Sequence, residues 1–199
     1  MPRLLAINGC YRENSVIEQA VALAMQTTSA AGATTEVVRL RDLPVRDCLN
    51  CRQCTGQPGT VPGECVIRKH MNALLDQIEA ADGFILASPA NLYTATSVYR
   101  SFIEQLMEYA RLHRGPHAPL SAGQTNRRTA ILISTSATPG WMGRLYYSTH
   151  QQLKETARAL GAQSAGSVYI DMACPERDSV LPDKVRRQLQ DLAGKLLRE

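Results

Sequence analysis

A turn near the start of the chain has the residue types and spacing of an anion-binding loop. Asn8-Gly9 follows a short apolar run, and Ser15 then opens a helical pattern, which predicts a buried strand, a tight loop and a helix. The N–H groups and the dipole at the start of such a helix can bind an anion. The loop matches neither G-x-G-x-x-G nor G-x-x-x-x-G-K-[ST]. We therefore interpret it as a monophosphate cradle of a different kind.

A second group of residues that could carry chemistry is a set of four cysteines. Three are spaced C-x2-C-x2-C, and the fourth follows after ten further residues. Iron–sulfur clusters use four thiolates, often in C-x2-C runs. Zinc sites pair two separated knuckles, and the sequence has no matching second knuckle. A [4Fe–4S] cluster is one interpretation; free thiols without metal, zinc, and thiol redox chemistry remain open alternatives. The four candidate ligands are Cys48, Cys51, Cys54 and Cys65.

Length and composition indicate an ordinary globular protein. The 199 residues are 44% hydrophobic and 20% charged, which predicts a single domain over 1–199 with a Cys-rich insertion at about 44–68. The net charge of +4 is spread along the chain, so we expect no nucleic-acid partner. The apolar run Leu4–Ile7 is too short for the core of a signal peptide, and no stretch approaches the roughly 20 apolar residues of a membrane span. We expect a cytoplasmic protein that does not bind membranes.

Hydrophobic periodicity predicts short apolar strands that alternate with amphipathic helices. This alternation is typical of a parallel sheet covered on both faces, an α/β three-layer sandwich. Five strands favour the flavodoxin-like order 2-1-3-4-5 over a barrel or a six-stranded dinucleotide fold. The predicted strands are Leu4–Ile7, Thr34–Leu40, Gly83–Ala87, Ala130–Ile133 and Ser167–Ile170. The predicted helices run over Ile17–Met25, Met71–Ile78, Tyr99–Ala110, Leu145–Leu160 and Val185–Leu196.

The fold also predicts where a ligand binds. In a doubly wound sheet the ligand lies outside the carboxyl ends of the strands, beside the point where the strand order reverses. Three loops leave those strand ends, after Asn8, after Ala87 and after Ile133, and they are rich in Gly, Ser, Thr and Asn. Position and composition therefore predict one binding site formed by these three loops.

Two motifs carry a resemblance to a known family. The loop Gly9-Cys10-Tyr11-Arg12-Glu13-Asn14-Ser15 resembles the G-S-x-R-x-x-S loop of the NAD(P)H-dependent FMN reductase superfamily. The segment from Ser88-Pro89-Ala90-Asn91 to Arg100-Ser101-Phe102-Ile103-Glu104 is similar to its S-P-x-Y…K-x-F-[IL]-D segment. The cysteine segment is similar to the iron–sulfur flavoprotein and multimeric flavodoxin branch. The resemblance covers roughly Arg3 to Leu106. The rest of the chain is similar only in its pattern of strands and helices.

This resemblance implies an oxidoreductase that binds FMN at the three loops. Hydride would pass from NAD(P)H to the flavin, which would then reduce a quinone, azo, flavin or metal acceptor. Because the cofactor carries this chemistry, we assign no catalytic acid or base. The resemblance further implies a homodimer or homotetramer.

The residues matched to the family's cofactor contacts fall into three groups. Those of the phosphate loop are Gly9, Cys10, Arg12, Ser15, Val16 and Ile17. Those expected along the flavin ring are Ser88, Pro89, Ala90, Asn91, Leu92, Tyr93 and Thr94. Those expected to close the other side of the ring are Thr135, Ser136, Gly140 and Gly143.

Several positions depart from the family pattern. Cys10 stands where a Ser is usual, and Val16-Ile17 replace a polar pair. Losing two hydroxyl donors would weaken FMN binding by about 1–3 kcal/mol unless backbone donors compensate. Two alternative functions follow: an iron–sulfur flavoprotein that exchanges electrons with a protein donor, and a binding protein of the same fold that has lost its flavin.

Overall fold

Strands and helices alternate along most of the chain, as the sequence predicts. The computed structural model describes residues 1–54, 65–67, 71–107, 128–171 and 180–197. The strands in these ranges are β1 (Arg3–Asn8), β2 (Thr34–Arg39), β3 (Gly83–Asn91), β4 (Thr94–Ala95), β5 (Arg128–Thr135) and β6 (Ala162–Ile170). The helices are α1 (Val16–Ala30), α2 (Asn72–Ala80), α3 (Ser97–Gln105), α4 (Gly140–Tyr146), α5 (Thr149–Ala159) and α6 (Asp183–Leu196), with a 3-10 turn at Leu40–Asp42.

The sheet has the flavodoxin-like strand order. Five parallel strands run β2-β1-β3-β5-β6, and the two-residue β4 pairs antiparallel with β3. The predicted order 2-1-3-4-5 is confirmed, because the predicted fourth and fifth strands are β5 and β6. The additional strand β4 was not predicted. The order reverses between β1 and β3, which places a ligand site at their carboxyl ends.

Two apolar clusters cover the two faces of this sheet. One contains Ile78 of α2, Phe102 of α3 and Leu153 of α5. The other contains Ile17 of α1 and Leu189 of α6. Because helices cover both faces, the central strands are apolar along almost their whole length rather than alternating. The three-layer architecture is therefore confirmed.

The helix predicted from Leu145 to Leu160 is two helices. The chain breaks between Tyr146 and Thr149, where the N–H of Ser148 donates to the Tyr93 carbonyl at 2.8 Å and its hydroxyl donates to the same oxygen at 3.1 Å. Leu145 is 70% exposed instead of lying on a buried stripe. The single-helix prediction was wrong because this contact with the β3–β4 turn interrupts the helical hydrogen bonds.

Strand β3 is longer than its sequence predicts. It continues past Ala87 because Ser88 and Pro89 still pair with β5. The chain then reverses through Leu92-Tyr93, whose φ angles of 47° and 67° allow a tight hairpin turn into β4. The predicted end of the third helix at Ala110 lies outside the described residues.

The described helices include none that is long and apolar enough to cross a membrane.

Gly9 is a position in the first loop at which a side chain would disturb the packing against α3. A Cβ there would lie 2.7 Å from Tyr99 Cδ2, so Gly9→Ala should lower the free energy of unfolding by about 1–3 kcal/mol in urea titrations. The matched control is Gly194→Ala in α6, where a Cβ meets nothing within 4 Å, and it should raise stability by about 0.5–1 kcal/mol. A Gly9→Ala protein as stable as the wild type would contradict this packing.

Candidate functional site

A cleft of about 350 Å³ opens at the carboxyl ends of β1, β3 and β5. Its volume is within the range of about 300–1,000 Å³ that is usual for small-molecule sites. Residues from all three predicted loops line this cleft. The lining residues are Cys10, Tyr11, Arg12, Ser15, Val16, Ile17, Pro89, Ala90, Asn91, Thr96, Thr135, Ser136 and Ala137.

The first loop is held by polar contacts to its own turn and to the 3-10 segment. Asn8 Oδ1 accepts a hydrogen bond from the Cys10 N–H at 2.9 Å. Arg41 Nη1 donates to the Tyr11 carbonyl at 3.2 Å and lies 3.1 Å from Glu18 Oε1. Arg41 and Glu18 are each only 14% exposed, so solvent screens this pair less than an ion pair on the surface. These contacts hold the first loop against the start of α1 and the 3-10 segment.

Helix α1 begins at the floor of the cleft. Ser15 is its N-cap residue, and Ser15 Oγ accepts from the Glu18 N–H at 3.3 Å. The N–H groups of Val16 and Ile17, at the first two helical positions, have no acceptor within an α-helix. Both residues line the cleft, so these donors and the positive end of the helix dipole lie where an anion can bind.

The side chains that replace the family's polar residues point into the core. Val16 and Ile17 are 4% and 0% exposed and belong to the cluster between the sheet and helices α1 and α6. Cys10 Sγ lies 3.1 Å from Ser15 Oγ, so the thiol is paired with the N-cap hydroxyl. The substitutions therefore remove side-chain donors and leave the backbone donors in place.

Thr135 lines the opposite wall of the cleft, and its hydroxyl oxygen is buried within that wall. It is 5% exposed, and within the described part of the chain its Oγ1 has no hydrogen-bond partner. A buried hydroxyl without a partner is unfavourable, so a polar atom of a ligand at this wall would stabilise the site. This orphaned donor, together with the helix terminus, is a donor set that fits a phosphorylated cofactor with polar ring atoms, such as FMN.

The remaining predicted residues do not line the cleft. Ser88 is fully buried, donates to the Pro89 carbonyl at 3.0 Å and accepts from the Thr96 N–H at 3.3 Å. Thr94 Oγ1 hydrogen-bonds with the side-chain amide of Gln152 instead. Gly9 packs under Tyr99; Leu92 and Tyr93 lie in the exposed hairpin turn, and Gly140 and Gly143 lie within α4. Together with Ser88 and Thr94, these are the predicted residues that lie outside the lining.

Three lining residues were missed: Tyr11, Thr96 and Ala137. Tyr11 Oη accepts from the Val98 N–H at 3.0 Å and hydrogen-bonds with Ser97 Oγ at 2.7 Å, so Tyr11 caps α3. Thr96 Oγ1 donates to the Gly9 carbonyl at 2.7 Å. The position of Thr96 before a helical pattern was a usable signal, whereas Tyr11 meets α3 through tertiary packing and carried none.

The four cysteines lie around one small cavity of about 20 Å³ beside the C-terminal end of α3. Cys48 Sγ accepts from the Asn50 N–H, and Glu104 Oε2 accepts from the Cys48 N–H, both at 3.4 Å. Across the described ranges, no three Cys, His, Asp or Glu side chains are arranged as a metal site. The [4Fe–4S] cluster stays a prediction, and we derive no electron path through it.

Tyr11 links the first loop to α3, and removing only its hydroxyl tests that link. Tyr11→Phe should lower the free energy of unfolding by about 1 kcal/mol, because the Val98 N–H loses its acceptor. Tyr146→Phe, an exposed tyrosine in α4, is the matched control and should unfold like the wild type. Equal urea midpoints for Tyr11→Phe and Tyr146→Phe would show that this cap contributes nothing.

Comparison with known proteins identifies the family. The sequence profile of the NADPH-dependent FMN reductases matches residues 2–173. The chain belongs to this family. The resemblance seen in the two sequence motifs is thereby confirmed, and the match extends past the cleft loops to the end of β6.

Curated relatives of this family member include two archaeal iron–sulfur flavoproteins. The protein from Archaeoglobus fulgidus is 26% identical over 107 residues, which are 54% of this chain and 46% of the relative. The protein from Methanocaldococcus jannaschii is 28% identical over 87 residues, 44% of this chain and 42% of the relative. The chain thus spans less than half the length of either relative.

Solved structures show the same fold. An FMN-dependent NADH-azoreductase from Bacillus anthracis, solved in complex with FMN, superposes with a TM-score of 0.69 over 98% of this chain and 99% of that chain. The two sequences are 17% identical. At that identity the likeness establishes the flavodoxin-like fold.

Proposed function

We propose that the chain is an FMN-dependent NAD(P)H oxidoreductase that passes electrons from the nicotinamide, through bound FMN, to a quinone, azo, flavin or metal acceptor. One observation carries this proposal: the cleft brings together the start of α1, whose first N–H groups have no acceptor within the helix, and Thr135, whose buried hydroxyl has no partner in the described part of the chain. Membership of the FMN reductase family and the fold shared with an FMN-bound azoreductase support it.

The first loop would hold the FMN phosphate. The N–H groups of Val16 and Ile17 and the Ser15 hydroxyl line the floor of the cleft, and Arg12 adds a guanidinium at its edge. Guanidinium groups bind phosphate oxygens in a bidentate manner and keep their charge at any physiological pH. These donors would compensate for the hydroxyls that Cys10, Val16 and Ile17 lack.

The other two loops would hold the ring. Pro89, Ala90 and Asn91 form one wall, and Thr135 and Ser136 form the other. Bound FMN would supply hydride acceptance and onward electron transfer, while the chain orients the ring and tunes its electronics through hydrogen bonds. We assign no acid or base to the chain, because the cofactor carries this chemistry.

Removing the guanidinium tests the phosphate assignment. Arg12→Gln should raise the Kd for FMN by about 10- to 100-fold, since a hydrogen bond to a charged group contributes roughly 1.5–3 kcal/mol. Arg187→Gln, which removes an exposed arginine of α6, changes the net charge equally and should bind FMN like the wild type. Equal Kd values for these two variants in calorimetric titrations would refute the assignment.

The orphaned hydroxyl offers a test with two opposite effects. Thr135→Val should raise the free energy of unfolding of the FMN-free protein by about 1 kcal/mol and weaken FMN binding by about 3- to 10-fold. The control is Thr149→Val, whose buried Oγ1 is also without a partner in the described chain but does not line the cleft. It should raise stability similarly and leave the Kd unchanged. If both variants weakened FMN binding equally, Thr135 would not contact the cofactor.

The second candidate is an iron–sulfur flavoprotein that takes electrons from a protein donor. The four cysteines around one cavity favour it, as do the names of the two curated relatives. Purification without oxygen, followed by a visible spectrum and assays for iron and sulfide, separates the candidates. Flavin bands with NAD(P)H oxidation in the absence of a partner protein support the first candidate. Iron, sulfide and dependence on a protein donor support the second candidate. A colourless protein that does not bind added FMN excludes both candidates.

We further propose that the chain forms a homodimer or homotetramer. Apolar side chains are exposed in the hairpin turn, which follows the cleft-lining Asn91, and along α4, which begins three residues after the cleft-lining Ala137. They are Leu92, Trp141, Leu145 and Tyr146. Exposed apolar groups of this kind often mark interaction surfaces. Light scattering after size-exclusion chromatography tests this, and a monomer at all concentrations would contradict it.

A further inference from the structure

We propose that Tyr169 is a positioning residue that directs the Ser136 hydroxyl as a hydrogen-bond donor toward the ring of the bound cofactor, and thereby favours the reduced form of that cofactor. The inference rests on the proposed function, because it requires FMN in the cleft. Neither the motif match nor the sequence pattern pointed to Tyr169.

Sheet pairing brings the two residues together. Tyr169 lies near the carboxyl end of β6 and pairs with Ser134, and the Ser136 N–H donates to the Ile170 carbonyl at 3.1 Å. Tyr169 Oη is 2.5 Å from Ser136 Oγ. Ser136 is 4% exposed and lines the cleft, so the phenol touches the site through Ser136 rather than directly.

The surrounding donors determine which way the Ser136 proton points. The Thr138 N–H donates to Ser136 Oγ at 3.2 Å. The geometry allows either hydroxyl to donate in the bond between Tyr169 and Ser136; because a phenol is a stronger acid than an aliphatic alcohol, the inference assigns the donor role to Tyr169. Ser136 Oγ then accepts twice. Its own hydrogen is directed to Thr138, whose carbonyl oxygen lies 3.4 Å and whose Oγ1 lies 2.9 Å away, and a bound cofactor with an acceptor atom in the cleft would compete for it.

Gly143 explains why the phenol can occupy this position. A Cβ at Gly143 would lie 1.5 Å from Tyr169 Oη and 2.3 Å from Cζ, so the backbone of α4 packs directly on the phenol. The Gly140 N–H also donates to Asp171 Oδ2 at 3.1 Å, which ties the start of α4 to the same end of β6. Gly143 thus accommodates the side chain that orients Ser136.

Hydrogen bonds to the ring are one of the means by which a protein tunes a flavin. The reduced ring carries more negative charge on N1 and its carbonyl oxygens, and a donor directed at those atoms therefore stabilises it more than the oxidised ring. If Tyr169 no longer holds Ser136, the preference for reduced FMN should fall, while the shape of the cleft changes little.

The test is Tyr169→Phe, which keeps the aromatic ring and removes the hydroxyl. The Kd values of oxidised and reduced FMN are measured without oxygen, together with the midpoint potential of bound FMN. We expect reduced FMN to lose about tenfold more affinity than oxidised FMN, which lowers the two-electron potential by about 30 mV. Ser164→Ala, which removes a hydrogen bond to the Gly166 carbonyl at the opposite end of β6, is the control and should leave the potential unchanged.

Two further variants keep the test independent of a folding defect. Gly143→Ala should displace the phenol hydroxyl and lower the potential in the same direction. In the background of Ser136→Ala, Tyr169→Phe should have no further effect, because the donor that it orients is gone.

The outcomes separate this inference from the proposed function. A wild-type protein that does not bind FMN overturns the proposed function and the inference with it. A wild-type protein that binds FMN, with an unchanged potential in Tyr169→Phe, overturns the inference alone. Lower stability of Tyr169→Phe without a change in potential does the same, because it assigns Tyr169 a purely structural role.

Discussion

The parallel pairing of β1, β3 and β5 is the constraint on which the candidate site depends. Asn8 is in register with Ala87, and Ala87 with Ile133, so the three strands reach the same edge of the sheet. The Gly9 N–H extends this pairing with a hydrogen bond of 2.8 Å to the Ala87 carbonyl. Loops that leave one edge together must face one another. The cleft is therefore a consequence of strand register, and the loop residues decide only what it binds.

Contacts between elements, rather than within them, fix the walls of the cleft. Tyr11 joins the first loop to α3, Arg41 holds the same loop from the 3-10 segment, and Tyr169 holds Ser136 from β6. Walls that are already ordered lose little conformational freedom when a ligand binds, which favours affinity. This order would compensate in part for the side-chain donors that Val16 and Ile17 do not supply to the proposed phosphate site.

Features that depend on residues close together in the sequence could be predicted from the sequence. The N-cap role of Ser15 and the strand–loop–helix unit depend on neighbouring residues, and the apolar strands between helices were sufficient for the strand order. The split at Ser148 and the exposure of Leu145 were not predictable, because a carbonyl of the distant β3–β4 turn causes them. The contact of Gly143 with Tyr169 was not predictable either, because it arises only from the packing of α4 on β6.

The central claim is that the cleft binds a phosphorylated flavin through the start of α1, and a paired titration of FMN and riboflavin tests it most directly. The two ligands share the ring and differ in the phosphate. Because at least two charge-assisted hydrogen bonds would reach the phosphate, we expect FMN to bind at least about 100-fold more tightly than riboflavin, with one FMN per chain. Equal affinities for the two ligands, or no binding of either, would contradict the account.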